Sequence, residues 1–100
     1  MRRLELLGQN GLTGSHRFIL EKFPVAIGSS REAGVQLVDP DVKPKHCELM
    51  LSNGGFVVRD LKTEGGTYVN NRRVESAKLR SGDKIRVGSS VFVVNVLEDW

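Results

Sequence analysis

The sequence has a single cysteine, Cys47, so the 100-residue chain cannot form an internal disulfide. Small secreted domains of this size are usually stapled by several disulfides, and we therefore expect a reducing, cytoplasmic setting. No apolar run approaches the roughly 20 residues that a membrane-spanning helix needs. The N-terminal stretch MRRLELLGQNG lacks the long apolar segment of a signal peptide, so we expect none.

Residues that carry catalytic or metal-binding chemistry are also scarce. With one cysteine and two histidines, His16 and His46, we expect no zinc site. Two Gly-Ser-Ser stretches, at 28–30 and 88–90, lack the second glycine of the nucleophile-elbow motif. The chain has neither a P-loop nor a dinucleotide-binding fingerprint. We therefore expect no enzymatic activity and no cofactor.

The charge balance is only mildly basic, with 15 Lys and Arg against 12 Asp and Glu and a net charge of +3. This excess does not by itself imply a nucleic-acid partner. The chain has six aromatic residues, too few for a base-stacking platform once some are placed in the core. We interpret Arg72-Arg73 first as part of a solvated turn. A nucleic-acid interface would use Arg2, Arg3, Arg72, Arg73, Arg80 and Arg86.

The sequence predicts many short strands separated by turns. Gly, Asn, Asp and Ser recur roughly every eight to twelve residues, and no segment sustains a helical period. The expected fold is all-β: a β-sandwich of about ten to eleven short, mostly antiparallel strands, formed by residues 1–100 as a single domain. The predicted strands lie at 2–7, 16–20, 23–28, 35–38, 46–52, 56–61, 84–88 and 91–97, with shorter ones between 67 and 79.

Alternation of apolar and polar residues indicates which side of a strand is buried. In residues 46–52 the period of two places Cys47, Leu49 and Leu51 on one apolar face. Cys47 is therefore interpreted as a small buried hydrophobe rather than a reactive thiol. Residues 91–97 are apolar on both faces over most of their length, which predicts a central strand.

Three loops are rich in small, polar or basic residues, and they lie at 28–32, 41–46 and 62–67. A rigid sandwich that presents polar loops is a common plan for a binding module. If the loops cluster, Arg31, Lys43 and Lys45 would form a basic patch suited to an anionic group. The alternative is ordinary solvated loop charge, and composition alone leaves both interpretations open.

Four segments in a fixed order carry a more specific signal. They are FPVAIG at 23–28, VKPKH at 42–46, DLKTEGGTYVN at 60–70 and LRSGDKIRVG at 79–88. Together they resemble motifs of the forkhead-associated (FHA) domain family, namely Gly-Arg at a strand end, Val-Ser-x-x-His, Asp-Leu-x-Ser-x-Asn-Gly-Thr-x-Val-Asn and Leu-x-x-Gly-Asp-x-Ile-x-x-Gly. The resemblance covers about residues 23–96. It implies a β-sandwich that reads phosphothreonine with loops at one end.

The resemblance also implies structural roles for residues that shape the loops. Gly28 and Gly66 fit places where the backbone turns sharply. His46 is expected to hydrogen-bond loop backbone rather than contact a ligand. Gly82-Asp83 is expected to form the turn into the strand that follows, with the aspartate bonding its own turn. The expected structural set is Gly28, His46, Asp60, Gly66, Thr67, Gly82 and Asp83.

The sequence departs from the family at the ligand-contacting positions. Ser29 stands where the resemblance places a phosphate-binding arginine, and Lys43 where it places a phosphate-binding serine. Pro44, which has no N–H, follows. Glu64 replaces the usual Thr or Ser, and Gly65 replaces the asparagine that bonds the peptide backbone. We therefore expect a non-catalytic interaction module, for signalling or assembly, with a degenerate phosphothreonine pocket.

The alternative is a working phosphothreonine-peptide reader with a rearranged basic pocket of Lys43, Arg31 and Ser29. Glu64 could instead pair with Lys43 or Arg31 and fill the site with an internal salt bridge. The expected partner is a protein or (phospho)peptide, with no nucleic acid, membrane or metal. The loop residues expected to contact it are Ser29, Ser30, Arg31, Lys43, Lys45, Glu64, Gly65, Asn70 and Asn71.

Overall fold

The computed structural model describes residues 2–9 and 16–98, which form eleven β-strands and no helix. The strands follow the alternating segments of the sequence closely, within one or two residues at most ends. Among the described residues, no helix is long and apolar enough to span a membrane. The strands are β1 (Arg2–Gly8), β2 (Arg17–Leu20), β3 (Val25–Gly28), β4 (Val35–Gln36), β5 (Cys47–Ser52), β6 (Gly55–Asp60), β7 (Thr67–Val69), β8 (Arg72–Val74), β9 (Ser76–Leu79), β10 (Lys84–Val87) and β11 (Ser90–Glu98).

The strands pair into two sheets that pack as a β-sandwich, as predicted. The six-stranded sheet has the order β2-β1-β11-β10-β7-β8, and the five-stranded sheet has the order β4-β3-β5-β6-β9. All pairs are antiparallel except β3 with β4. The apolar segment at 91–97 lies in β11, which is central between β1 and β10. Pro24 comes just before β3, where its missing N–H leaves no gap in the ladder.

The core is built from alternate residues on the facing sides of the two sheets. Leu4 and Leu6 on β1 are fully buried, as are Cys47 and Leu49 on β5. Full burial of an aliphatic side chain of this size stabilises the fold by about 1.5–3 kcal/mol relative to exposure. The burial predicted for Cys47 is confirmed. Leu51 keeps the alternation but is 46% exposed, because it lies near the end of β5, beyond the centre of the core.

Two tight hairpin turns have the backbone conformation that their sequences favour. Asn53 and Gly54, between β5 and β6, have φ values of 51° and 77°. Asn70 and Asn71, between β7 and β8, have φ values of 51° and 68°. Two consecutive residues with positive φ are the requirement of the type I′ turn, and Asn and Gly tolerate it best. These turns fix the register of both hairpins.

The loops β3–β4, β4–β5, β6–β7 and β10–β11 converge at one end of the sandwich, which we call the apical end. Backbone and side-chain hydrogen bonds join them there, linking Ser29 to Lys43, His46 to Gly66 and Asp39 to Ser89. The sequence predicted a polar loop cluster at one end, and the structure brings these loops together.

Candidate functional site

The β4–β5 loop crosses directly over the end of β3 at Gly28. A Cβ atom on Gly28 would lie only 1.9 Å from the carbonyl oxygen of Pro44, so no side chain fits there. The Ser29 N–H donates to the carbonyl of Lys43 at 3.0 Å, and the Ser30 N–H donates to that of Pro44 at 3.3 Å. The glycine therefore permits the crossing that sets Ser29 beside the Lys43 backbone.

His46 ties the β4–β5 loop to the β6–β7 loop. Its Nδ1 accepts a hydrogen bond from the Lys43 N–H at 3.2 Å. Its Nε2 is 2.8 Å from the carbonyl of Gly66, which requires the proton to lie on Nε2. The side chain is fully buried. The structure thus places His46 where the sequence expected it, bonded to loop backbone.

The β6–β7 loop is held from inside by a network around Asp60. One carboxylate oxygen accepts the hydroxyls of Thr63 and Thr67, each at 2.8 Å, and the other accepts the Thr63 N–H at 3.0 Å. The Thr63 hydroxyl also accepts the Gly66 N–H at 3.1 Å. Burial alone would raise the pKa of Asp60, but the hydrogen bonds from Thr63 and Thr67 hold that pKa below its ordinary value.

Arg73, on β8, supports the same loop from behind. Its guanidinium donates to the carbonyls of Thr63 and Glu64, each at 3.0 Å. Its Nε lies 2.6 Å from where a Cβ on Gly66 would stand, and Gly66 has φ of +77°. The interpretation of Arg72-Arg73 as a solvated turn is therefore wrong for Arg73, because β7–β8 pairing directs it at the loop backbone.

Asp39 anchors the β4–β5 loop to the β10–β11 turn. It is 4% exposed, and its carboxylate accepts the Asp41 N–H, the Ser89 N–H and the Ser90 hydroxyl, each at 2.9 Å. Burial would raise the pKa of Asp39, yet these three hydrogen bonds hold that pKa below its ordinary value. One wall of the apical end is thereby fixed in place.

Between the β4–β5 and β6–β7 loops lies an open cleft of about 370 Å³. Lys43 stands on one side and Glu64 on the other. Within residues 2–9 and 16–98, no ion pair closer than 4.0 Å joins Glu64 to Lys43 or to Arg31. The internal salt bridge that Glu64 could have formed is therefore not made in this structure, because the open cleft separates the two loops. The cleft is lined by Pro40, Asp41, Lys43, Glu64, Gly65 and Gly88.

The β3–β4 loop contributes less to the cleft than the sequence suggested. The Ser30 hydroxyl donates to the Glu32 carboxylate, and the Glu32 N–H donates back to it at 3.2 Å. The hydrogen bond from the Ser30 hydroxyl keeps the pKa of Glu32 below its ordinary value, and the backbone N–H of Glu32 contributes to a smaller extent. Arg31 and Lys45 are exposed and do not line the cleft. Of the three residues expected to form a basic patch, only Lys43 lines the cleft.

Asn70 and Asn71, which the sequence assigned to the partner-binding loops, lie at the other end of the sandwich, so the structure does not bring them together with the apical loops. Asn70 donates to the Asp83 carboxylate at 3.0 Å and accepts the Lys84 N–H at 3.0 Å. Asp83 also accepts the Arg80 N–H at 2.8 Å, as expected for the turn at Gly82. These residues shape the end opposite the cleft because β7 and β10 run between the two ends.

Sequence reasoning missed three residues that hold the site: Thr63, Arg73 and Asp39. Thr63 occupies the serine position of the Asp-Leu-x-Ser motif, so the motif could have indicated it. Arg73 and Asp39 act through contacts distant in sequence and carry no local signal. Among the described residues, no group of three or more His, Cys, Asp or Glu side chains could hold a metal ion.

Comparison with known proteins agrees with this geometry. The FHA domain model matches residues 25–88. Glycogen accumulation regulator GarA of Mycolicibacterium smegmatis is 34% identical over 83 residues, which are 83% of this chain and 52% of GarA. The chain thus spans about half the length of the curated relatives it matches.

Solved structures of FHA domains share this fold over nearly the whole chain. An FHA domain from a study of phosphothreonine-dependent FHA domain interactions has a TM-score of 0.86 and 28% identity, covering 98% of this chain and 99% of that one. The FhaA FHA domain, complexed with the intracellular domain of Rv3910, has a TM-score of 0.79 and 29% identity, covering 94% and 99%. From its family match, its relatives and its fold, this chain belongs to the forkhead-associated domain family.

Proposed function

We propose that this domain is a non-catalytic protein-interaction module whose apical cleft no longer reads phosphothreonine. The lining of the cleft carries the proposal, because two carboxylates, Asp41 and Glu64, flank its one cation, Lys43. A phosphate group carries close to two negative charges at neutral pH, so each carboxylate opposes its entry. A domain that binds phosphate needs more positive than negative charge around its cleft.

The charge of the apical loops themselves supports the same conclusion. Loops 29–34, 37–46 and 61–66 together contain four basic and four acidic side chains, so they provide no net positive field. Phosphate recognition usually depends on concentrated positive charge with bidentate donors. The eight charged residues are Arg31, Lys43, Lys45 and Lys62 against Glu32, Asp39, Asp41 and Glu64.

Several hydrogen-bond donors near the cleft are also occupied or missing. The Ser30 hydroxyl is bonded to Glu32, and the Ser29 N–H is bonded to the Lys43 carbonyl. Pro44 has no N–H to offer. Gly65 has no side chain, although a Cβ there would meet nothing closer than 3.9 Å, so the space for an amide is present. The loop frame is retained without its ligand contacts.

The relatives support a role in protein interaction and regulation. GarA is a regulator of glycogen accumulation, and the FhaA FHA domain forms a complex with the intracellular domain of Rv3910. By analogy, we infer that residues 1–100 act as one binding domain on a protein or peptide partner. The fully buried Cys47 is compatible with the cytoplasmic setting that we propose.

A second candidate function rests on the exposure of Lys43. Its ammonium has no carboxylate within 4.0 Å among the described residues, and it lines the cleft. A lysine is a point-charge phosphate binder, so Lys43 could lead a rearranged reader assisted by Ser29. Arg31, exposed and outside the cleft lining, would need to swing inward to contribute.

Fluorescence-polarisation binding separates the two candidates. We would titrate the domain against a degenerate phosphothreonine peptide library, with the unphosphorylated library as the matched control. The proposal predicts no phosphate-dependent binding by the folded protein. Phosphate-dependent binding that Lys43→Ala abolishes, and that Lys22→Ala leaves unchanged, would overturn the proposal in favour of the rearranged reader.

A further inference from the structure

The outer face of the six-stranded sheet, turned away from the core, has an organisation that the apical cleft does not explain. On β1, Leu4 and Leu6 point into the core, so Glu5 and Leu7 point outward. The strand register extends this outer face across β2, β11, β10, β7 and β8. Within the described residues, no other strand packs on it.

A strip of aliphatic side chains runs across this face. Leu7 is paired with Val93 across β1 and β11, and Val91 is the next outward residue along β11. All three side chains are half-buried, so part of each remains accessible. Directly paired side chains on one face of a sheet are in contact range, so the three form one continuous apolar strip.

Two cations border the strip on the β10 side. Lys84 is paired with Val93, and Arg86 is paired with Val91. The Arg86 guanidinium carbon lies 4.0 Å above the centroid of the Tyr68 ring, which holds it in place by a cation–π contact. Among residues 2–9 and 16–98, neither cation has a carboxylate within 4.0 Å.

This face carries more basic than acidic side chains. By strand register its outward residues include five cations and one carboxylate, Glu5, which is buried and bonded to Arg17 and to Asn95. The five cations are Arg3, Arg17, Arg73, Lys84 and Arg86.

We propose that this outer face docks an acidic amphipathic helix of a partner protein. The apolar side of such a helix would cover Leu7, Val91 and Val93, and its carboxylates would meet Lys84 and Arg86. The charge complementarity selects an acidic partner, and the aliphatic strip selects a protein over a nucleic acid. The Tyr68 ring is already covered by Arg86, so it offers no platform for a base.

The test uses a designed 18-residue helical peptide with leucines on one face and glutamates on the other. A matched peptide replaces the leucines by serine and keeps every glutamate. Chemical-shift mapping of the ¹⁵N-labelled chain at about 150 mM salt, where exposed charges are partly screened, should place the binding site on β1, β10 and β11. The serine peptide should bind at least tenfold more weakly.

Charge-reversal variants check the location. Lys84→Glu with Arg86→Glu should weaken binding by about tenfold or more, since two attractions become repulsions. Lys22→Glu with Lys78→Glu makes the same change in net charge away from this face and should have much less effect. Urea unfolding of both variants shows that they are folded.

Three outcomes would overturn the proposal. The first is a set of shifts centred on the apical cleft, and the second is equal weakening by both double variants. The third is tighter binding to duplex DNA or to vesicles of anionic lipid than to the leucine peptide. Because none of these uses a phosphopeptide, the result is independent of whether the cleft reads phosphothreonine.

Discussion

The polar side chains at the apical end bond mainly to the protein itself. His46, Thr63, Asp60 and Thr67 are bonded to loop backbone and to one another. Thr63 and Thr67 are buried along with His46, and a buried polar group must be satisfied internally because its desolvation is costly. The set therefore fixes the shape of the β6–β7 loop, whatever ligand the loop does or does not hold.

Replacing Thr63 with Val removes the hydroxyl and nearly keeps the shape. The variant leaves the Gly66 N–H without its acceptor and leaves Asp60 Oδ1 with the Thr67 hydroxyl alone, so we expect it to lower the free energy of unfolding by about 1–3 kcal/mol. Urea denaturation measures this change. Ser52→Ala, at an exposed position on β5, is the control and should stay within about 0.5 kcal/mol. Equal losses of stability in the two variants would contradict a stabilising role for the hydrogen-bond network around Asp60.

The thiol of Cys47 is expected to be inert in the native protein. It is fully buried on β5, and burial raises the pKa of the Cys47 thiol to about 12, so almost no thiolate forms near neutral pH. A chromogenic disulfide reagent should modify it only as fast as the protein unfolds, and quickly in denaturant. Rapid modification of the native protein would show that this strand opens.

At the scale of the strands and loops, alternation and turn residues were sufficient to predict much of the fold. Period-two segments predicted the strands, and Ser-Asn-Gly-Gly predicted the β5–β6 hairpin. Sheet order could not be predicted from the strand patterns alone, because it depends on non-local pairing such as β1 with β11. The contact of Arg73 with the β6–β7 loop was missed for the same reason.

The crossing of the β4–β5 loop over Gly28, at the end of β3, can be tested with a matched pair of glycine substitutions. Gly28→Ala places a methyl group 1.9 Å from a backbone oxygen, so we expect a loss of about 3 kcal/mol or more in unfolding free energy. Gly65→Ala adds a methyl group with nothing closer than 3.9 Å, so its stability should change by less than about 1 kcal/mol. Thermal unfolding compares the stability of the two variants. A loss at Gly28→Ala no larger than that at Gly65→Ala would contradict the close crossing.

Across the whole molecule, two aspartates lock the apical loops, the buried Asp39 and the half-buried Asp60, and both have a pKa below the ordinary value of 3.8. Because Asp39 and Asp60 take up protons more readily when unfolded, their contribution to stability is present above about pH 4. That contribution is lost as the pH falls through their lower native values.

The melting temperature should therefore fall steadily between about pH 5 and pH 2. Asp39→Asn removes one of the carboxylates with a lowered pKa, so it should lower stability at neutral pH and flatten this dependence. Circular dichroism melts at a series of pH values measure both effects. A variant whose melting temperature depends on pH as steeply as that of the unmodified protein would exclude Asp39 as a contributor.

The candidate site, viewed across the whole molecule, was only partly predictable from the sequence. The motif order identified the loops, and His46 and Gly28 stand where the motifs implied. The balance of charge around the cleft could not be read from the motifs, since Asp41 lies outside the family's contact positions and its place on the rim depends on folding. The charge of the outer sheet face likewise emerges only from strand register.

The most direct test of the degenerate cleft is to restore it. A variant carrying Ser29→Arg, Lys43→Ser, Glu64→Thr and Gly65→Asn would regain the side chains that the family resemblance implies at those positions. Two or three charge-assisted hydrogen bonds to the phosphate should tighten binding by about 100-fold or more. Fluorescence polarisation against the phosphothreonine library should then show phosphate-dependent binding by the variant and none by the unmodified protein. A variant that unfolds cooperatively in urea but gains no affinity would contradict the account.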